Sequence, residues 1–291
     1  MSEPEGLNPE VEGRIVVDPK ETVQRGRSRV LITNDDGVDA PGILHLADAL
    51  ATDFDVTIAA PSRDWSGAGT GIGHFDPHAG IPLRRVRRGD HRAYALDGPP
   101  GLAVMAGALG AFGHPFDMVV SGINAGINTG QSVIHSGTVG AALTARTFGS
   151  HGLAVSVEPS DPWNWASAAE IALEVARWIT SETRQTTAIN LNVPGVPIGE
   201  VRGLREARLD RFGYFRVATN NESGEKLEFE MSSHGDRRAE EGSDTWLLRN
   251  RYATVTSLGL IVGTGDVLPD DLSTIWPSQR VSVGPSGDTA P

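Results

Sequence analysis

The sequence predicts an α/β protein built as a three-layer parallel sheet, and three observations predict it. Short β-rich runs recur along the chain at Val30–Thr33, Asp55–Ala60, Asp117–Ser121, Leu153–Val157 and Ala188–Asn192, with helix-like stretches between them. Alternation of that kind makes parallel strands joined by helical crossovers. Polar loops rich in glycine follow three of the runs, at the strand ends where open α/β sheets build their sites.

Taken in order, residues 1–28 are charged and aperiodic and read as a flexible arm. Val30–Thr33 is a buried strand, and Asn34-Asp35-Asp36-Gly37 turns the chain. A helix starts at Pro41, since proline suits the first helical position. Asp55–Ala60 is the second strand, ended by Pro61 and followed by the loop PSRDWSGAGTGIG. Tyr94–Leu96 is a short strand and Pro100–Gly110 an Ala/Gly-rich helix. After the strand Asp117–Ser121 comes a second Gly/Asn/Ser loop, then a helix over Thr138–Phe148. Leu153–Val157, the amphipathic helix Trp163–Thr180 and the strand Ala188–Asn192 complete a core spanning 29–194. From Gly195 to 276 the segments shorten; Gly213–Ala218 and Lys226–Met231 read as hairpin strands around the turn Asn220–Gly224. This is an extension of the kind that subunits exchange, and 277–291 is a loose tail.

Composition narrows the function. At 291 residues, 39% hydrophobic and 21% charged, the chain suits a globular domain with an extension. Its apolar runs all fall short of the roughly 18 residues that cross a bilayer, so no membrane partner is expected. The start MSEPEGLNPEVEG lacks the features of a signal peptide, and cysteine is absent, which fits a cytoplasmic setting. A net charge of −12 argues against a nucleic acid duplex as partner. The run Arg84-Arg85-Val86-Arg87-Arg88 opposes that balance. It reads as a solvated face, or as a lure for an anionic substrate if it lies beside the acidic turn.

The loops carry the chemistry. The first offers Asn34, Asp35 and Asp36, the second Ser66, and the third Ser121, Asn124, Asn128, Ser136 and Thr138. Two adjacent carboxylates at a strand end repel and lose hydration, which favours a divalent cation between them. The other reading of the same residues is a turn whose carboxylates merely cap the helix. Carboxylates with a hydroxyl and an amide carbonyl form a hard oxygen set, suited to Mg²⁺ or Mn²⁺. Ser136-Gly137-Thr138 at a helix start offers free amides to an anion. Cation and anion sites together point to phosphate ester hydrolysis. Ile72 breaks G-x-G-x-x-G, and no Walker sequence, G-x-S-x-G or H-E-x-x-H occurs. Among the eight histidines, His45 falls inside a helix as a packing or surface residue, and only His135 is placed to act, with a structural role as its other reading.

VLITNDDGVDAPGI, AAPSRDWSGAG and DMVVSGINAGINTGQSVIHSGTVGAA, in this order, resemble the SurE family of survival-protein nucleotidases. The resemblance covers about Arg29 to Asn192, with a weaker echo at Gly242-Ser243-Asp244 and Tyr252–Thr256. It implies a Rossmann-like core, an extension that makes homodimers or homotetramers, and hydrolysis of nucleoside 5′- and 3′-monophosphates. It also implies one divalent ion per subunit held by Asp35, Asp36, Ser66 and Asn124. Asn34, Asn128 and Ser136-Gly137-Thr138 fall where the family handles phosphate. Asp36 would take a proton from the attacking water; an aspartyl-phosphate on Asp35 or Asp36 is the other route. The chain departs from the family at Gly98-Pro99-Pro100, at His135 in place of a tyrosine and at Thr144 in place of a glutamate. These positions bear on substrate choice, so a phosphorylated sugar or specialised metabolite, or binding without turnover, stand as alternatives.

Overall fold

The structure is a computed structural model. It describes residues 26–260 except 75, 77, 114, 212–215, 221–227 and 233–238, with the backbone alone given for 216–220 and 228–232. Nearly all of the N-terminal arm, the tail and the turn within Asn220–Gly224 lie outside the described residues, as do the first residues of both hairpin segments.

Among the described residues, eleven strands and five α-helices follow one another. The first half runs β1 (Arg29–Thr33), α1 (Pro41–Leu50), β2 (Asp55–Pro61), β3 (Leu83–Arg88), β4 (His91–Leu96), α2 (Pro100–Ala108) and β5 (Met118–Ala125). Then come α3 (Gly137–Thr147), β6 (His151–Val157), α4 (Trp165–Glu182), β7 (Ala188–Val193) and β8 (Leu204–Glu206). The chain continues through β9 (Arg216–Asn220), β10 (Glu228–Ser232), α5 (Asp244–Arg249) and β11 (Ala253–Ser257). Nine strands form one sheet in the order β3-β4-β2-β1-β5-β6-β7-β11-β8, and β9 pairs with β10 as an antiparallel hairpin.

The six central strands from β4 to β7 are parallel, as expected, while β3 and β11 join antiparallel. Two findings go beyond the sequence reading. The arginine run is the edge strand β3, and Arg88 reaches from it to the Val38 carbonyl and pairs with Asp39, just after the acidic turn. Its charge therefore engages the entry to α1. The sheet also continues past residue 194, because β11 pairs with β7 and β8 with β11.

Burial explains the layers. In β1, Val30 and Ile32 face a core shared with α1 and α4, while Leu31 faces α2 and α3. Covered on both sides, the strand needs an unbroken apolar run. Ile43, Leu46, Ala47 and Leu50 recur at helical spacing on the buried side of α1, and Ala168, Ala172, Val175, Ala176 and Ile179 do so on α4. His45 stacks on the Trp165 ring at 6.4 Å, a packing role.

The chain crosses from one side of the sheet to the other between β1 and β5, so the crevice falls at their carboxyl ends. There α1 passes so close to β5 that a Cβ on Gly42 would sit 2.2 Å from the Ile123 carbonyl oxygen. Gly42→Ala is therefore expected to destabilise the protein by about 1–3 kcal/mol, read as a lower urea midpoint at unchanged slope. A wild-type midpoint would contradict the close packing.

Candidate metal and phosphate site

At the carboxyl end of β1 the backbone turns through the acidic pair. Asn34 is fully buried; its Nδ2 donates to the Gly37 carbonyl at 2.9 Å, and its Oδ1 accepts from the Gly37 amide at 3.1 Å. Asn34 thus holds the turn that presents its neighbours. The second loop is tied on by the Trp65 amide, which donates to the Asp35 carbonyl at 2.8 Å, and by Val38, which donates to Pro61 at 2.8 Å.

The third loop wraps both carboxylates. Asp35, 3% exposed, accepts a short hydrogen bond from the Thr138 hydroxyl and further bonds from the Gly137 and Thr138 amides. A Cβ on Gly137 would come 2.8 Å from Asp35 Cβ and Oδ2, so only glycine lets the start of α3 approach this closely. Ser136 caps the helix, its hydroxyl accepting from the Val139 amide at 3.1 Å. The amides assigned from sequence to a bound anion are therefore directed, in part, at the protein's own carboxylate. The Ala125 amide bonds Asp36, whose Oδ2 is buried without a hydrogen-bond partner among the described residues.

Asn124 arrives by a register shift between β5 and β6 at Ser121–Asn124, the kind of bulge that re-aims a side chain. Its Nδ2 donates to the Gly126 carbonyl at 2.7 Å, which turns Oδ1 to within 3.4 Å of the Thr138 hydroxyl that bonds Asp35. Asp35, Asp36, Asn124 and Thr138 are thus brought together. Ser66 is not drawn into this group: it is exposed, and both its amide and its hydroxyl donate to Asp64 at 2.7 Å. Asn128 is anchored away from it, donating from Nδ2 to Ser156 at 2.9 Å and from its amide to Asn192 at 2.8 Å. His135 is exposed, and its carbonyl accepts from the Gly69 amide.

Three positioning residues escaped the sequence reading. Asn190 and Asn192 on β7, both fully buried, donate to the Asn128 carbonyl at 2.8 and 2.9 Å. Buried Asp244, in the first turn of α5, accepts from the Gly130 amide at 2.8 Å and also from Asp210 and Thr245. Two asparagines inside a strand predicted to be buried were the signal for the first two, because buried amides need partners. Asp244 makes its bond to the loop across 114 residues, which no local pattern reveals.

Burial pushes Asp35 above the usual carboxylate range, against its hydrogen bonds from Thr138 and Gly137. Asp36 is raised to about 6, first by burial and then by the charges of Asp35 and Asp64, against the Ala125 amide. No cluster of three or more His, Cys, Asp or Glu side chains that could hold a metal exists among the described residues. A cation here would rest on two carboxylates and amide or hydroxyl oxygens. The unpartnered Asp36 Oδ2 and the all-oxygen donors fit a hard divalent ion.

Fold and site define an α/β protein of Rossmann-like topology with an acidic pair at its switch point. The survival protein SurE family model matches residues 30–215, and the chain belongs to that family. It is 38% identical over 232 residues to the 5′-nucleotidase SurE of Alkalilimnicola ehrlichii, covering 79% of this chain and 88% of that one. Identity to the 5′-nucleotidase SurE of Dehalococcoides mccartyi is 33% over 244 residues, with the same coverages. The crystal structure of the SurE protein from Aquifex aeolicus superposes with a TM-score of 0.69 at 29% identity, over 81% of this chain and 95% of that one.

Protons and a cation compete for the acidic pair. A carboxyl raised on folding binds protons in the native state more readily than in the unfolded one. Its ionisation penalty therefore develops as pH rises from about 4 to about 6 and is fully present above that. Excess Mn²⁺ should raise Tm more at pH 7.5 than at pH 5, measured by calorimetry. Equal shifts at both pH values would count against the pair as the cation's seat.

Proposed function

We propose that this chain is a metal-dependent phosphomonoesterase that hydrolyses nucleoside 5′- and 3′-monophosphates, with one Mg²⁺ or Mn²⁺ ion per subunit. The observation that carries it is the acidic pair at the sheet's switch point, with Asp35 buried and the Asp36 Oδ2 unpartnered among the described residues, in a chain whose relatives are 5′-nucleotidases.

Asp35 and Asp36 supply the anionic ligands, and the Asn124 carbonyl oxygen a neutral one. A bound divalent ion offsets the charge of the transferring phosphoryl group and makes water a better nucleophile. Thr138 fixes the Asp35 carboxylate in place through its hydroxyl, so the ligand is oriented before substrate arrives. A carboxylate oxygen of Asp36 not engaged by the cation would accept the proton of the attacking water. The Gly137 and Thr138 amides are committed to Asp35. Groups at the mouth of the second loop would then meet the phosphoryl oxygens, beside a cation held by Asp35, Asp36 and Asn124. Ser66 sits at that mouth and joins the ligand set only if its hydroxyl leaves Asp64.

We further place residues 195–276 at a homodimer or homotetramer interface. The β9–β10 hairpin outside the main sheet and the exposed Leu204 support this. No helix among the described residues is long and apolar enough to cross a membrane. Nucleoside monophosphates are cytoplasmic metabolites, and we place the protein with them.

Asp36→Asn is expected to lower kcat on p-nitrophenyl phosphate with Mn²⁺ on the order of 10³-fold, since it removes both a ligand charge and a proton acceptor. Near wild-type turnover by that variant, at any Mn²⁺ concentration, would sink the assignment.

A further inference from the structure

Beside the acidic pair lies a cavity of about 420 Å³ whose walls include Asp64, Trp65, Ser66, Gly73 and Pro99. That volume falls within the range of small-molecule sites. Its floor is mostly backbone, because Gly67, Gly71 and Gly73 carry no side chains, and Pro99 closes one side rigidly. A Cβ on Gly73 would come 3.1 Å from Pro99 Cδ, so the wall is already tight there.

Trp65 joins this cavity to the acids. Its amide bonds the Asp35 carbonyl at 2.8 Å, so the indole springs from a backbone fixed to the acidic turn. The Arg63 guanidinium lies over the ring at 4.4 Å from its centre and reaches Asp97 at 3.6 Å, which braces the indole from one side. The indole Nε1 is buried and has no hydrogen-bond partner among the described residues. An aromatic residue in the wall of a cavity beside the acidic pair suits a planar heterocycle better than an alkyl chain.

A second cavity, of about 490 Å³, is lined by Trp178, Ile189, Leu204 and Val255 among others, none of them from the three strand-end loops. A leaving group attached to a phosphate at Asp36 therefore has the Trp65 cavity beside it and not this one.

We propose that the cavity between Trp65 and Pro99 is the nucleobase subsite and that the Trp65 ring is its stacking surface. This rests on the nucleotidase reading above. It adds that discrimination among phosphate esters is made at the leaving group, by a residue that touches neither the cation nor the phosphate. The Pro99-Pro100 departure then shapes the wall of a base site.

The test compares two esters with the same phosphate and different leaving groups, AMP and β-glycerophosphate, in the full chain with Mn²⁺. In Trp65→Ala the ratio of kcat/KM for AMP over β-glycerophosphate should fall about tenfold or more, mainly through KM for AMP. Trp65→Leu, which keeps apolar bulk without a planar ring, should lose the ratio as well, and Trp65→Phe should keep most of it. These two variants decide the matter if the alanine protein does not fold. A ratio that stays at wild type in Trp65→Leu, or falls equally in Trp65→Phe, overturns the subsite and leaves the phosphatase standing. Wild-type protein that releases phosphate from neither ester overturns both.

Discussion

Two like charges on neighbouring residues, taken largely out of water, set the terms for the rest of this molecule. At about 4 Å and an effective dielectric near 20, a pair of carboxylates repels by about 4 kcal/mol. A hydrogen bond adds a net contribution of about 1 kcal/mol, or two to three times that when it meets a charge. The Thr138 hydroxyl and the amides of Gly137, Thr138 and Ala125 therefore work against the cost of charging the pair; burial still raises the Asp35 carboxyl, and burial followed by the Asp35 charge raises Asp36. A divalent cation would supply what backbone dipoles cannot.

The surrounding architecture brings those donors to that place. Parallel strands put β1 and β5 side by side with their carboxyl ends on one edge, and a register shift at Ser121–Asn124 turns Asn124 inward. The glycine at the start of α3 permits helix and carboxylate to touch. Farther out, the third loop is pinned by Asn190 and Asn192 at its middle and by Asp244 at Gly130. The C-terminal elements thereby hold the loop that holds the acids. That link gives the extension a reason to pack on the core besides any role in assembly.

Much of this was legible before any coordinates, and the pattern of success has a physical reason. Buried parallel strands and amphipathic helices are written locally, so β1, β2, β6 and β7 fall within two residues of their predicted bounds, α1 starts at Pro41 as expected, and β5 starts one residue late and ends four residues later. The acidic pair and Asn124 were legible too, because a strand followed at once by polar residues is a local pattern. The edge strand β3 was hidden because an exposed strand needs no apolar face, and four arginines look like a solvated loop. The pairing of β11 with β7 joins residues more than 60 apart, and sequence periodicity carries no such information. For Ser66 the position in a loop was readable, but the hydrogen bond of its hydroxyl to Asp64 was not.

The account turns on where a cation sits. Crystals grown with Mn²⁺ and measured at the manganese absorption edge should show one anomalous peak per chain, touching Asp35, Asp36 and the carbonyl oxygen of Asn124. A peak elsewhere, or none at that turn while the two carboxylates point apart, would contradict it.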